Sequence, residues 1–97
     1  MDKLVILAYN EAIEEEVMES LSMCALNNYT KITGVFGKGN TSGTHLGNEI
    51  WPGRNNLLLV AGPEVQTKQL LNCIRKLRQV LGKEGVKAFV LPIEELT

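Results

Sequence analysis

Two glycine- and lysine-bearing stretches hold the residues best suited to chemistry. The first is Gly37-Lys38-Gly39-Asn40-Thr41-Ser42-Gly43-Thr44. Glycine lets successive backbone N–H groups turn into one concavity, and Lys38 adds a fixed charge, so the stretch suits an anion. Its spacing matches neither GxxxxGK[ST] nor GxGxxG, which separates it from the standard phosphate-loop and dinucleotide fingerprints. Farther along, Trp51-Pro52-Gly53-Arg54 sets an indole beside a guanidinium. That pair fits an aromatic base plus a phosphate, or a partner protein. In the competing reading Trp51 packs at a subunit seam. The second stretch, Gly82-Lys83-Glu84-Gly85-Val86-Lys87, has two glycines and two lysines within six residues. It suits phosphate, and it serves equally well as a helix cap followed by a turn.

Other reactive residue types are sparse. His45 is the single histidine, and neither CxxC nor HxxxH occurs. A metal reading therefore needs His45 joined by Glu49 or by copies of itself around a symmetry axis. Cys24 and Cys73 are far apart and both fall in helical patterns, where a reducing compartment makes them small buried hydrophobes. Glu14, Glu15 and Glu16 crowd one helix start and face water, so they form no paired acid and base. No nucleophile, base and orienting group recur together, and the chain is expected to be no enzyme.

These residues need elements to position them. Lys3 to Tyr9 is a short apolar run, a strand ended by Asn10. Asn10 is a candidate N-cap, and Ile13, Val17, Leu21 and Cys24 then repeat at helical spacing. That helix is expected to end near Asn27-Asn28. Tyr29 to Lys38 reads as a second strand, and Gly39 to Asn56 as an eighteen-residue loop. Connections beyond about 12–15 residues are usually functional. Leu57 to Ala61 is a third strand. Gly62-Pro63 opens a second helix with Pro63 at its first position, and its stripe is Leu70, Ile74, Leu77 and Leu81. Gly82 closes it, and Val86 to Leu91 is the fourth strand, stopped by Pro92. The order predicts an α+β, ferredoxin-like βαββαβ domain over residues 1–97: a four-stranded antiparallel sheet, first and third strands central, two helices on one face.

Leu4 to Ala8 and Leu57 to Ala61 are apolar at every position. A sheet covered on one side alternates apolar with polar residues. Two helices cover one face only, so the second apolar face must meet a partner, most simply further copies of the chain. Composition narrows the partners. Ten Lys and Arg stand against eleven Asp and Glu, a net charge of -1, which argues against a phosphate-backbone binder. Stacking a nucleic-acid base needs exposed aromatics on the central strands, and Leu4 to Ala8 and Leu57 to Ala61 carry Leu, Val, Ile and Ala instead. No run approaches the ~20 apolar residues that span a bilayer, and the short N-terminal run is no secretory signal, so the chain is expected in the cytoplasm.

Val35-Phe36-Gly37-Lys38-Gly39, the long loop, Leu57-Leu58-Leu59-Val60 and the Gly-Lys-x-Gly turn before Lys87-Ala88-Phe89-Val90 together resemble the PII family of nitrogen-regulatory signalling proteins. The likeness is greatest to its divergent PII-like branch, through Thr44-His45-Leu46-Gly47-Asn48-Glu49-Ile50-Trp51-Pro52-Gly53. It spans nearly the whole chain on short motifs. The resemblance implies a homotrimer with sheets facing inward. It also implies a small effector such as ATP, ADP or AMP in clefts between subunits, and a partner such as a membrane transporter met by the long loop. Carried over by position, the effector residues are Gly37, Lys38, Gly85 and Lys87, then Gly82 and Lys83; the loop's own chemistry adds Gly39 and Arg54, and the partner-binding residues of the loop are Thr44, His45 and Trp51. The turn departs from the family's Gly-Asp-Gly-Lys, the chain ends Ile93-Glu94-Glu95-Leu96-Thr97 without a basic stretch, and the long loop holds no tyrosine. A metal-responsive trimer like the divalent-cation-tolerance proteins, with His45 and Glu49 as ligands, is the alternative.

Overall fold

Val5, Leu7 and Tyr9 alternate with Leu4, Ile6 and Ala8 along the first strand, β1 (Asp2–Asn10), and only the first set is fully buried. Successive side chains on a strand turn to opposite faces, so the alternation marks one covered face and one open face. The computed structural model describes residues 1–37, 54–81 and 85–97. After β1 come a 3-10 turn (Glu11–Ile13), α1 (Glu14–Met23), β2 (Thr30–Val35), β3 (Asn55–Pro63), α2 (Glu64–Leu81) and β4 (Val86–Pro92). The strands form one antiparallel sheet in the order β2-β3-β1-β4, with β1 and β3 central as expected.

The core lies between the covered face and the helices. Val5, Leu7, Leu58, Val60 and Val86 meet Ile13, Val17, Leu21 and Cys24 of the first helical stretch and Leu70 and Ile74 of α2. Removing one such branched aliphatic side chain from water contributes about 1.5–3 kcal/mol. Leu77 and Leu81, the rest of the α2 stripe, pack at the margin of this cluster with Cys73. Both cysteines are free thiols. Burial, and then the neighbouring Cys73, push the Cys24 thiol up to about 11, so it stays protonated at neutral pH.

The open face is apolar over its central strands. Register aligns Thr30, Leu59, Ile6 and Phe89 in one row, and Ile32, Leu57, Ala8 and Lys87 in the next. Leu4 stands between Ala61 and Leu91 in a third. Ile32, Phe89 and Leu91 are 45%, 50% and 43% exposed.

Several boundaries differ from the sequence expectation for local reasons. Asn10 does cap, its side chain accepting from Ala12 N at 2.9 Å, but what it caps is the 3-10 turn. α1 begins later, at Glu14, with no side-chain cap of its own. It ends at Met23, not near Asn27-Asn28. Ala25 takes the left-handed conformation (φ 57°), and Gln66 of α2 donates to the carbonyls of Cys24 and Ala25 at 3.1 and 3.3 Å. β2 spans Thr30–Val35 instead of the expected Tyr29–Lys38: Phe36 and Gly37 lie beyond it, Lys38 lies outside the described residues, and the register shifts between Ile32 and Val35. Gly34 supplies the left-handed φ of 71° there, as a bulge requires. Pro63 is not the first residue of a helix. It is the last residue of β3, paired with Asp2, and α2 starts at Glu64, whose N–H donates to Met1 O at 3.1 Å. Gly62 sits against the core, where a Cβ would come within 2.6 Å of Leu26 Cδ2. The α2 closure at Gly82 lies outside the described residues.

Candidate functional site

β1 delivers the chain to the end of the sheet where β2 leaves, β3 enters and β4 begins. There two consecutive N–H groups act together. Asn10 N donates to Gly85 O at 3.0 Å, and Glu11 N donates to Arg54 O at 3.0 Å. One step of backbone thus holds the base of the long loop and the turn before β4, far apart in sequence. They flank the end of β1 about 10 Å apart, two strand spacings. The other stem of the loop lies alongside: a Cβ on Gly37 would stand 3.5 Å from Asn55 Nδ2. Arg54 carries its side chain past Gly34, 4.0 Å from where a Cβ would be, and is exposed. Lys87 is exposed on the open face, opposite Ala8.

Of the residues singled out in sequence, Gly37, Arg54 and Gly85 therefore gather at one end of the sheet, with Lys87 just below on the open face. Arg54 and Lys87 each expose a cation, Arg54 toward β2 and Lys87 on β4. Lys38, Gly39, Thr44, His45, Glu49, Trp51, Gly82 and Lys83 lie outside the described residues. Among the described residues, no group of three His, Cys, Asp or Glu side chains is placed to hold a metal ion.

A polar cluster missed in sequence lies behind this end, on the covered face. Glu14, first residue of α1, receives three donors from three strands. Tyr9 Oη of β1 donates to its Oε1 at 2.5 Å, Asn56 Nδ2 of β3 donates to the same oxygen at 3.2 Å, and Lys31 of β2 pairs with Oε2. Lys31 Nζ also stands 5.8 Å from the centre of the Tyr29 ring. Burial alone would raise the Glu14 carboxyl, but Lys31, Tyr9 and Asn56 outweigh it and hold the group below its usual range. The Tyr9 hydroxyl moves far the other way, first through burial and then through the Glu14 carboxylate that accepts its hydrogen bond. Strand alternation carried a signal for this cluster. Tyr9 and Lys31 fall on the covered face, where a hydroxyl and an ammonium each need a partner.

No protein-family model matches the sequence, and no curated relative matches it. Solved structures do. CPII from Thiomonas intermedia K12, a nitrogen regulatory PII-like protein bound to ADP, AMP and bicarbonate, superposes with a TM-score of 0.73 at 20% identity, covering 95% of this chain and 85% of CPII. The chain has the PII-like fold. A PII-like signalling protein from Thermus thermophilus shares it with a TM-score of 0.60 at 21% identity, covering 93% of this chain and 83% of that one. A DUF3240 family protein from Shewanella baltica matches over 99% of this chain and 93% of its own, with a TM-score of 0.62 at 15% identity. Gly37 and Arg54, which bound residues 38–53 in sequence, both stand at the end that joins Arg54 to Gly85. No helix among the described residues is long and apolar enough to cross a membrane.

Proposed function

We propose that this chain is a PII-like regulatory protein that binds an adenine nucleotide and signals through its long loop, without turnover. The carrying observation is the pair of bonds from Asn10 and Glu11, which brings the loop base and the turn before β4 to one sheet end beside Arg54 and Lys87. The fold shared with CPII, whose structure holds ADP and AMP, supports a nucleotide as effector. The apolar open face supports a homotrimer with sheets inward, which would set each Lys87 near a neighbouring copy and form the effector clefts between subunits. A nucleotide that binds one arrangement of the loop better than others shifts the loop toward it, and so alters docking on a partner such as a membrane transporter.

Titration calorimetry with ATP, ADP and AMP, each with and without bicarbonate, tests the reading. Micromolar binding of one of them is expected, weakened about tenfold or more by Arg54→Ala or Lys87→Ala, since each removes a charge-assisted contact. Heatless titrations with all three, and no thermal shift at millimolar nucleotide, would refute it.

A further inference from the structure

The Tyr9–Glu14 stretch holds three separate pieces of the molecule. Its backbone grips Gly85 and Arg54 through Asn10 N and Glu11 N, each at 3.0 Å. Its side chains reach Asn56, one residue inside the start of β3, and Lys31 on the edge strand. Register binds these contacts into one unit: Tyr9 pairs with Asn56 on one side and Val86 on the other, and Asn10 pairs with Asn55. Glu14 is the shared acceptor, since its carboxylate takes donors from Tyr9, Asn56 and Lys31. Asn56 is itself buried, and Nδ2 has turned to Glu14 while Oδ1 has no hydrogen-bond partner. Glu14, with the Tyr9 hydroxyl beside it, thus sets the orientation of its amide.

We infer that Glu14 is a positioning residue for the candidate site, acting through Asn56 and the Asn10–Glu11 amides to preset the base of the long loop and the turn before β4. The inference rests on the nucleotide-sensor reading for its functional consequence, though not for its structural one. Without the carboxylate acceptor, the first residues of β3 lose the contact that fixes them to α1. A ligand bridging Arg54 and the Gly85 turn must then order both as it binds, which weakens affinity.

Glu14→Gln is the informative variant. Its side chain keeps length and shape, but its amide sets an NH2 either against the Lys31 ammonium or against the donors of Tyr9 and Asn56. Two readouts are taken with ADP as probe: hydrogen exchange at the Asn10, Glu11 and Asn56 amides, and the dissociation constant by calorimetry. Ile74→Val, in the core away from the cluster, serves as the control for lost stability. Glu14→Gln is expected to speed exchange at those three amides about tenfold and to weaken ADP about tenfold, whereas Ile74→Val leaves both within twofold. Unchanged exchange at all three amides in Glu14→Gln overturns the positioning role, whatever happens to affinity. If the wild-type chain binds none of ADP, ATP and AMP, the sensor reading fails instead, and exchange alone decides the role of Glu14.

Discussion

Glu14 shows how one side chain changes meaning between sequence and structure. In the sequence it is one of three glutamates at a helix start. In the structure it alone turns inward, where Lys31, Tyr9 and Asn56 compete for its two oxygens. Its folded pKa lies below the roughly 4.3 of an unfolded chain. The sign follows from linkage. The carboxylate's contribution is complete above that unfolded value and is lost as pH falls through the depressed folded one. Urea melts of wild type and Glu14→Gln should therefore differ at pH 7, and the gap should shrink as pH falls through the depressed folded pKa. A gap of constant size across that range would contradict the depressed pKa. Tyr9 belongs to the same account, because its hydroxyl keeps its proton well past the ordinary tyrosine range.

At the scale of elements, α1 stops where a tertiary contact stops it. Ala25 holds φ 57° without being glycine, and Gln66 satisfies the carbonyls that the last turn leaves open. A non-glycine residue in that conformation costs about 1–2 kcal/mol, partly offset by the freedom glycine adds to the unfolded chain. Ala25→Gly should raise the urea midpoint by an amount equal to about 0.5–1 kcal/mol, and Gln66→Ala should lower it by about 1 kcal/mol. An unchanged midpoint in both variants would mean that the helix end is held elsewhere. The same contact explains what the sequence could not reveal. Helix stripes and the apolar strands were legible, since Ile13, Val17, Leu21, Leu70 and Ile74 all reach the core as their spacing predicts. Helix ends were not legible, because Gln66 lies forty-one residues from Ala25 and Pro63 extends β3 by pairing with Asp2. Of the site, Arg54, Gly37, Gly85 and Lys87 were legible as glycines and cations near loops. The Asn10 and Glu11 amides that join those loops were not, since a backbone donor leaves no mark in residue identity.

The whole molecule presents an imbalance. One sheet face is sealed by helices, and the other shows Leu4, Ile6, Leu57, Leu59, Phe89 and Leu91 in adjoining rows. Exposed apolar faces of this kind mark protein, membrane or ligand contacts, or sites of aggregation. Under the trimer proposal, light scattering should report about three times the 10.7 kDa chain mass. Ile6→Glu, which sets a charge at the middle of the open face between Leu59 and Phe89, should return the single-chain value, because an unpaired carboxylate is costly to bury. A wild-type particle of single-chain mass at micromolar concentration would rule the trimer out. The two ends of the described chain add a practical point. Met1 O is bound by Glu64 N and Asp2 O by Ile93 N, at the pole away from Arg54 and Gly85. A fluorophore, resin or fusion partner grafted onto Met1 would hang from the base of the molecule and leave Arg54 and Gly85 uncovered at the opposite pole.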